Sequence, residues 1–210
     1  WKVGISNASS FRSPVSSELY GFGGNIDLKP EINKSTEINI KKINKNSDLN
    51  ISVFSNKLSN LIDFDYQDYV LKNIIKSSNK GIEVRYKLDM DEWDLMILMR
   101  SQDPEDNEGK QLLRRSKTSG SLTLTKDIYG YLGTINLSNF GKRKDFGDIK
   151  LPSYSLLNLS VTKELNMSTK LSLKLENVLD KNYFTAAASN AFYLNQGRSI
   201  WFKLHYELGK

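Results

Sequence analysis

No cysteine occurs in the chain, which excludes disulfide staples, thiolate metal ligands and cysteine nucleophiles. His205 is the only histidine, so multi-histidine metal centres are excluded as well. Long apolar runs are also missing. None approaches the roughly 18 residues of a spanning helix, and the mean hydropathy is −0.47. By hydropathy alone the 210 residues read as one water-facing domain or two small ones. The N-terminus carries no basic, apolar, small-residue leader. Trp1-Lys2-Val3-Gly4-Ile5 reads as the middle of a strand, so the chain is expected to start partway through a larger protein. The net charge of +6 is spread over isolated lysines. Nucleic-acid binding needs a concentrated patch and a recognisable module, so no nucleic-acid partner is expected.

What is present is alternation. In Arg198–Leu208 the residues Ile200, Phe202, Leu204, Tyr206 and Leu208 share one parity, while Ser199, Lys203, His205 and Glu207 share the other; Trp201 is the large apolar exception. Such a strand has one apolar and one wet face. An apolar face that runs to the chain's end points to lipid on that side. The same period recurs through Val3/Ile5, Ile38/Ile40, Leu49/Ile51/Val53, Ile82/Val84/Tyr86/Leu88, Trp93/Leu95/Ile97/Met99, Leu122/Leu124, Tyr131/Ile135/Leu137, Leu157/Leu159/Val161 and Leu171/Leu173/Leu175. That predicts an all-β, antiparallel transmembrane β-barrel wall of about ten strands, in which only every second residue meets lipid.

Connections alternate in length. Short polar turns are expected near Asn44–Asp48, Asp89–Asp91, Lys126–Asp127 and Glu164–Ser168; longer loops near Ala8–Pro30, Asp65–Asn79, Ser101–Gln111, Asn139–Pro152 and Phe184–Gly197. Tight turns on one side and long loops on the other are the layout of outer-membrane barrels, with the turns periplasmic. Tyr86, Trp93, Tyr129 and Tyr206 fall near the turn side, where an interfacial aromatic girdle belongs. Both chain ends then lie on the periplasmic side.

Specific words resemble the C-terminal half of the TonB-dependent outer-membrane receptors. Phe11-Arg12-Ser13-Pro14 with Glu18-Leu19-Tyr20 resembles the family's FRAP…ELY segment, and Asn25–Glu31 its GNPxLKPE. Leu61-Ile62-Asp63-Phe64 is similar to its LIDY strand, Asn79–Glu83 to its xxxGxE strand start, Leu175–Tyr183 to its NLFDKxY segment, and Gly197-Arg198 to the GR that opens the last strand. Within the family, Leu19-Tyr20-Gly21-Phe22 and Leu112–Lys117 look most like the LYGF and LLRRAK of the cobalamin receptor subgroup. The resemblance implies a 22-stranded barrel around a plug, of which residues 1–208 supply about ten C-terminal strands, with the plug absent and 209–210 as an overhang. It also implies uptake of a scarce nutrient such as cobalamin or a ferric siderophore across the Gram-negative outer membrane, driven through a TonB complex that engages the missing N-terminal part. The further partners implied are outer-membrane lipid and the missing strands and plug. No cofactor and no metal are expected.

Site residues follow from that layout. Ligand contacts are expected on the external loops at Phe11, Arg12, Tyr20, Phe22, Tyr66, Tyr69, Phe140, Phe192 and Tyr193; Glu83, Arg85, Lys203 and His205 are expected to face the lumen or plug. The loop between Pro14 and Pro30, with Gly21, Gly23 and Gly24, reads either as an approach to ligand or as a loop folded back over the rim. Asp103, Glu105, Asp106 and Glu108 lack EF-hand spacing and read as a solvated loop. Arg114-Arg115 is expected at the start of a strand, one side chain toward the lumen and the other near headgroups. Rival readings are a passive porin-like channel, which would not be expected to carry the ordered words, and a soluble β-sandwich binding module. A barrel hydrolase would need a serine or carboxylate constellation that the sequence does not display, so no enzyme is expected.

Overall fold

Ten strands pair in simple sequence order into one antiparallel wall in the computed structural model, which describes residues 1–65, 67–188 and 191–207. The wall strands are β1 (Lys2–Arg12), β2 (Glu31–Ile43), β3 (Ser47–Asp65), β4 (Val70–Met90), β5 (Trp93–Asp106), β6 (Thr118–Ile128), β7 (Tyr131–Phe140), β10 (Tyr154–Asn166), β11 (Thr169–Glu176) and β14 (Ser199–Tyr206). Two small hairpins interrupt the order: β8 (Arg143–Asp145) with β9 (Ile149–Leu151), and β12 (Phe184–Ala188) with β13 (Ala191–Leu194). A short helix, α1 (Ser16–Tyr20), lies between β1 and β2. Leu208, Gly209 and Lys210 lie outside the described residues, as does Tyr66.

Register converts the alternation into two continuous faces. One rung runs Leu88, Leu95, Leu124, Ile135, Leu159, Leu175, Ile200 across seven strands without a polar residue. The opposite face carries rungs such as Glu83, Arg100, Ser119 and Thr123, Asn136, Asn158. A one-residue slip would exchange the faces, so the apolar rungs fix the register. The wall is a single layer, and large side chains such as Ile5 and Phe202 stay about 70% exposed. That face needs an apolar medium, since a layer this thin has no interior of its own.

One rim carries the tight connections. Ile128 pairs with Tyr131 around Tyr129 and Gly130, whose φ angles of 55° and 76° make the mirror-image turn that suits hairpin twist. The turn expected at Lys126–Asp127 is therefore displaced, because ladder pairing continues through Asp127 and Leu132. The opposite rim carries the loops. The long loop expected over Asp65–Asn79 is instead strand: β3 and β4 stay paired up to Asp65 and Val70, with irregularities at Leu58/Leu61 and Leu61/Ile62. At about 3.3 Å per residue, the 21 residues of β4 reach about 70 Å. That far exceeds a ~25 Å apolar band, so the tip of this hairpin projects beyond it.

Buried residues sit mainly at the loop rim. Leu151, Ala187 and Asp145 are fully buried, and Tyr154, Arg143 and Leu28 nearly so. The packed interior of the described residues lies mainly in the loops, while most wall residues are half-buried or exposed, with Ser77, Pro104 and Tyr154 as buried exceptions near the loop rim.

Candidate functional site

Two hubs of charge hold the loop rim together. At the first, Arg12 ends β1 and its guanidinium is gripped by two carboxylates. Nε and Nη2 donate to Glu31 at 2.7 Å each; Nη1 and Nη2 donate to Glu18 at 3.0 Å each. Glu18 also accepts from Val15 N at 2.9 Å, closing the first turn of α1, and Glu31 accepts from Ile62 N at 3.0 Å. Hydrogen bonds from Arg12, then from Val15 N, hold Glu18 in the loop below the usual carboxylate range. The words FRSP, ELY and LKPE thus meet at the Arg12 side chain, and LIDF joins them through Glu31. Asn73 fastens the same loop by accepting from Lys29 N at 2.7 Å and donating to Lys29 O at 2.8 Å.

The second hub is Asp145. Both of its oxygens lie 3.0 Å from Arg114 Nε, and it accepts from Phe146 N at 2.9 Å and Ala187 N at 2.6 Å. Burial pushes this carboxyl up; the donors from Arg114, Ala187 and Phe146 outweigh that and hold it below the ordinary aspartate value. Three separate connections meet there: β5–β6 through Arg114, β7–β10 through Asp145, β11–β14 through Ala187. Nearby Arg143 donates to Pro152 O at 3.1 Å and Phe184 O at 3.0 Å, and lies 4.8 Å over the Tyr154 ring. Contrary to the expectation, Arg114-Arg115 does not open a strand, because β6 begins only at Thr118; Arg114 takes φ 59° in the loop and turns to Asp145.

The expected ligand-contact residues fall into separate groups. Phe22 stacks on Phe64 at 6.3 Å and Tyr69 meets the same ring edge-on at 6.4 Å, with Tyr20 exposed nearby in sequence. Phe11 shares the parity of Val3 and Ile5, on the apolar face, where it lines a groove of about 490 Å³ with Lys29, Pro30 and Ile32. Phe140 lies on the polar face in a ladder with Tyr154 at 5.0 Å, and Tyr154 continues to Tyr183 at 4.5 Å. Phe192 packs 5.1 Å from Phe184, and Tyr193 stays exposed. The wall residues Glu83, Arg85, Lys203 and His205 all carry the polar parity. Arg100 pairs with Glu83, Arg85 lies 3.5 Å from it, Lys203 sits beside Ser172, and His205 lies 3.4 Å from Glu207. Trp201 is on that face too, and its Nε1 donates to Glu176 at 2.9 Å, which reconciles the indole with a wet surface.

Residues 2–178 match the family model described as TonB dependent receptor-like, beta-barrel. The chain belongs to the TonB-dependent receptor family. The Vitamin B12 transporter BtuB of Vibrio cholerae serotype O1 is 30% identical over 208 residues, covering 93% of this chain and 34% of that protein. Among solved structures, the copper transporter OprC superposes with a TM-score of 0.79 at 15% identity, over 97% of this chain and 36% of that one. The pyoverdine outer membrane receptor FpvA of Pseudomonas aeruginosa PAO1 gives 0.74 at 18% identity, over 98% and 34%. The chain spans about a third of the length of the curated relatives it matches. Sequence reasoning missed Asp145, Arg143, Tyr154 and Tyr183. Asp145 reaches Ala187 across 42 residues, and no periodic pattern announces such a contact.

Proposed function

We propose that this receptor-family chain is the C-terminal wall and outer loop rim of an outer-membrane receptor that takes up a scarce nutrient, driven through TonB. The observation that carries the reading is the asymmetry of the rims: tight turns at one, and at the other loops drawn together by Arg12 and Asp145. Loops held that way present a preorganised surface, which reduces the ordering entropy lost on capturing a dilute solute. Phe22, Tyr69, Tyr20, Phe192 and Tyr193 supply exposed aromatic area there. Arg12 acts as a brace, since its nitrogens are committed to Glu18 and Glu31.

The polar face would meet the plug supplied by the rest of the protein. Oδ1 of Asn33, Asn50 and Asn79 are buried without a hydrogen-bond partner among the described residues, and all three lie on the polar face of β2, β3 and β4. Asn50 pairs with Arg85, and Asn79 lines a groove with Glu83 and Arg100, so unfilled acceptors beside these charges favour a partner that brings donors. Lys203 and His205 extend the polar face toward the turn rim. The relative named as a vitamin B12 transporter favours cobalamin as ligand; the pyoverdine receptor's fold keeps ferric siderophores as the alternative. Binding of cobalamin and of ferric siderophores to the intact receptor tests this: saturable binding of one class supports it, and absence of both overturns the ligand assignment.

A further inference from the structure

At the turn rim, on the apolar face, lysine ammoniums sit over aromatic rings in three places. Lys42 Nζ lies 5.2 Å from the Trp1 ring centre, Lys126 Nζ 4.6 Å from Trp93, and Lys163 Nζ 4.2 Å from Tyr131. Lys126 and Trp93 are direct cross-strand partners, as are Lys163 and Tyr131. Each lysine belongs to a strand arriving at the turn rim, and each aromatic lies at or beside the start of one leaving it. The groups facing these ammoniums are few: Glu92 carboxylate at 2.9 Å from Lys126, and the Tyr129 carbonyl at 3.2 Å from Lys163. Among the described residues the arginine–aromatic pairs lie elsewhere, at Arg100–Phe54 on the polar face and at Arg114–Phe146 and Arg143–Tyr154 in the loop rim.

We propose that these lysine–aromatic pairs form a binding belt for the phosphates of anionic glycerophospholipids in the leaflet at the turn rim. An ammonium over a ring keeps hydrogens free to donate, and as a compact point charge it suits a phosphate oxygen. The ring beneath it fits the boundary between headgroup and acyl chain, continuous with the apolar band of Leu124, Ile135 and Leu159. Lysine stems lie along that surface while their heads reach polar ground. Charge complementarity names the occupant: positive heads are repeated around the wall, and among the described residues Glu92 is the one carboxylate paired with them.

The inference rests on the membrane reading of the apolar face, and one experiment separates the two. The intact receptor is placed in phosphatidylcholine vesicles containing a minor share of phosphatidylglycerol, and the lipid retained after extraction is measured. Enrichment of phosphatidylglycerol on the order of tenfold to a hundredfold is expected. Replacing the three lysines together (Lys42→Gln, Lys126→Gln, Lys163→Gln) should abolish it. Lys34→Gln with Lys57→Gln, a directly paired couple on the same face nearer the loop rim, should leave it unchanged. Equal retention of both lipids by the unmodified receptor would overturn the belt without needing any variant to fold. Displacement of the lipid by inorganic phosphate would overturn it in favour of a small-anion site. Failure to enter vesicles at all would overturn the membrane reading and the belt with it.

Discussion

Arg114 and Asp145 belong to different connections, yet Arg114 Nε lies 3.0 Å from both oxygens of a carboxylate that is wholly buried. Asp145→Asn keeps the shape and removes the charge, so three loops lose a common anchor. The expected loss of rim stability is about 2 kcal/mol, below the range for a fully buried pair because Arg114 remains half in solvent. Amide exchange at Ala187 should quicken in the variant, and unchanged protection there would sink the anchoring role.

Acid sets the limit of the same anchor. A carboxyl held below its ordinary value stabilises fully above that value, and the contribution is lost only as pH falls through the lower folded-state value. Protease resistance of the loops should therefore stay flat from about pH 8 to 5 and fall only below about pH 4. A loss centred near neutrality would show that another group governs the rim.

Arg12 makes a different kind of junction, half-exposed and doubly forked. Lysine cannot reproduce two bidentate pairs, so Arg12→Lys should cost about 1 kcal/mol, in keeping with a solvent-screened network. Arg12→Ala should cost more, because Glu18 and Glu31 then face each other without a cation. Combining Arg12→Lys with Glu31→Gln should give less than the sum of the two single effects in thermal unfolding of the intact receptor. Strict additivity would mean that the fork contributes nothing.

Much of this architecture was legible because a membrane wall has only one rule per face. Val3, Ile40 and Ile51 had to share a face, and the structure pairs them in that rung. Connections were less legible. Residues 65–79 looked like loop because no clean alternation marks them, whereas β3 and β4 continue as a hairpin against which the β1–β2 loop packs through Phe22 and Lys29. Arg12 stood out through its sequence words, but its partners did not. Asp145 stood out through nothing, since its partners lie 31 and 42 residues away and its loop carries no periodicity.

Gly81 occupies a close approach between strands. A Cβ there would come within 2.8 Å of Phe54 Cζ and closer still to the carbonyl of Ser101. Gly81→Ala should destabilise the wall by about 1–3 kcal/mol through overpacking. Gly133 offers the contrast, with its nearest atom 3.7 Å away, so Gly133→Ala should be tolerated. Comparable urea midpoints for the two variants of the micelle-solubilised receptor would refute the packing argument.

Leu159 and Ser160 are neighbours on opposite faces: Leu159 pairs with Ile135 and Leu175, Ser160 with Thr134 and Lys174. If the Leu159 face meets hydrocarbon, an arginine there costs about 2–4 kcal/mol near the bilayer midplane. On the polar face the same charge finds hydroxyls and water, so Ser160→Arg should cost at most about 1 kcal/mol. The folded fraction of each intact variant in lipid vesicles, followed across a urea series, measures the difference. Equal penalties would mean that both faces see water, and the apolar rungs would then have to be covered by protein.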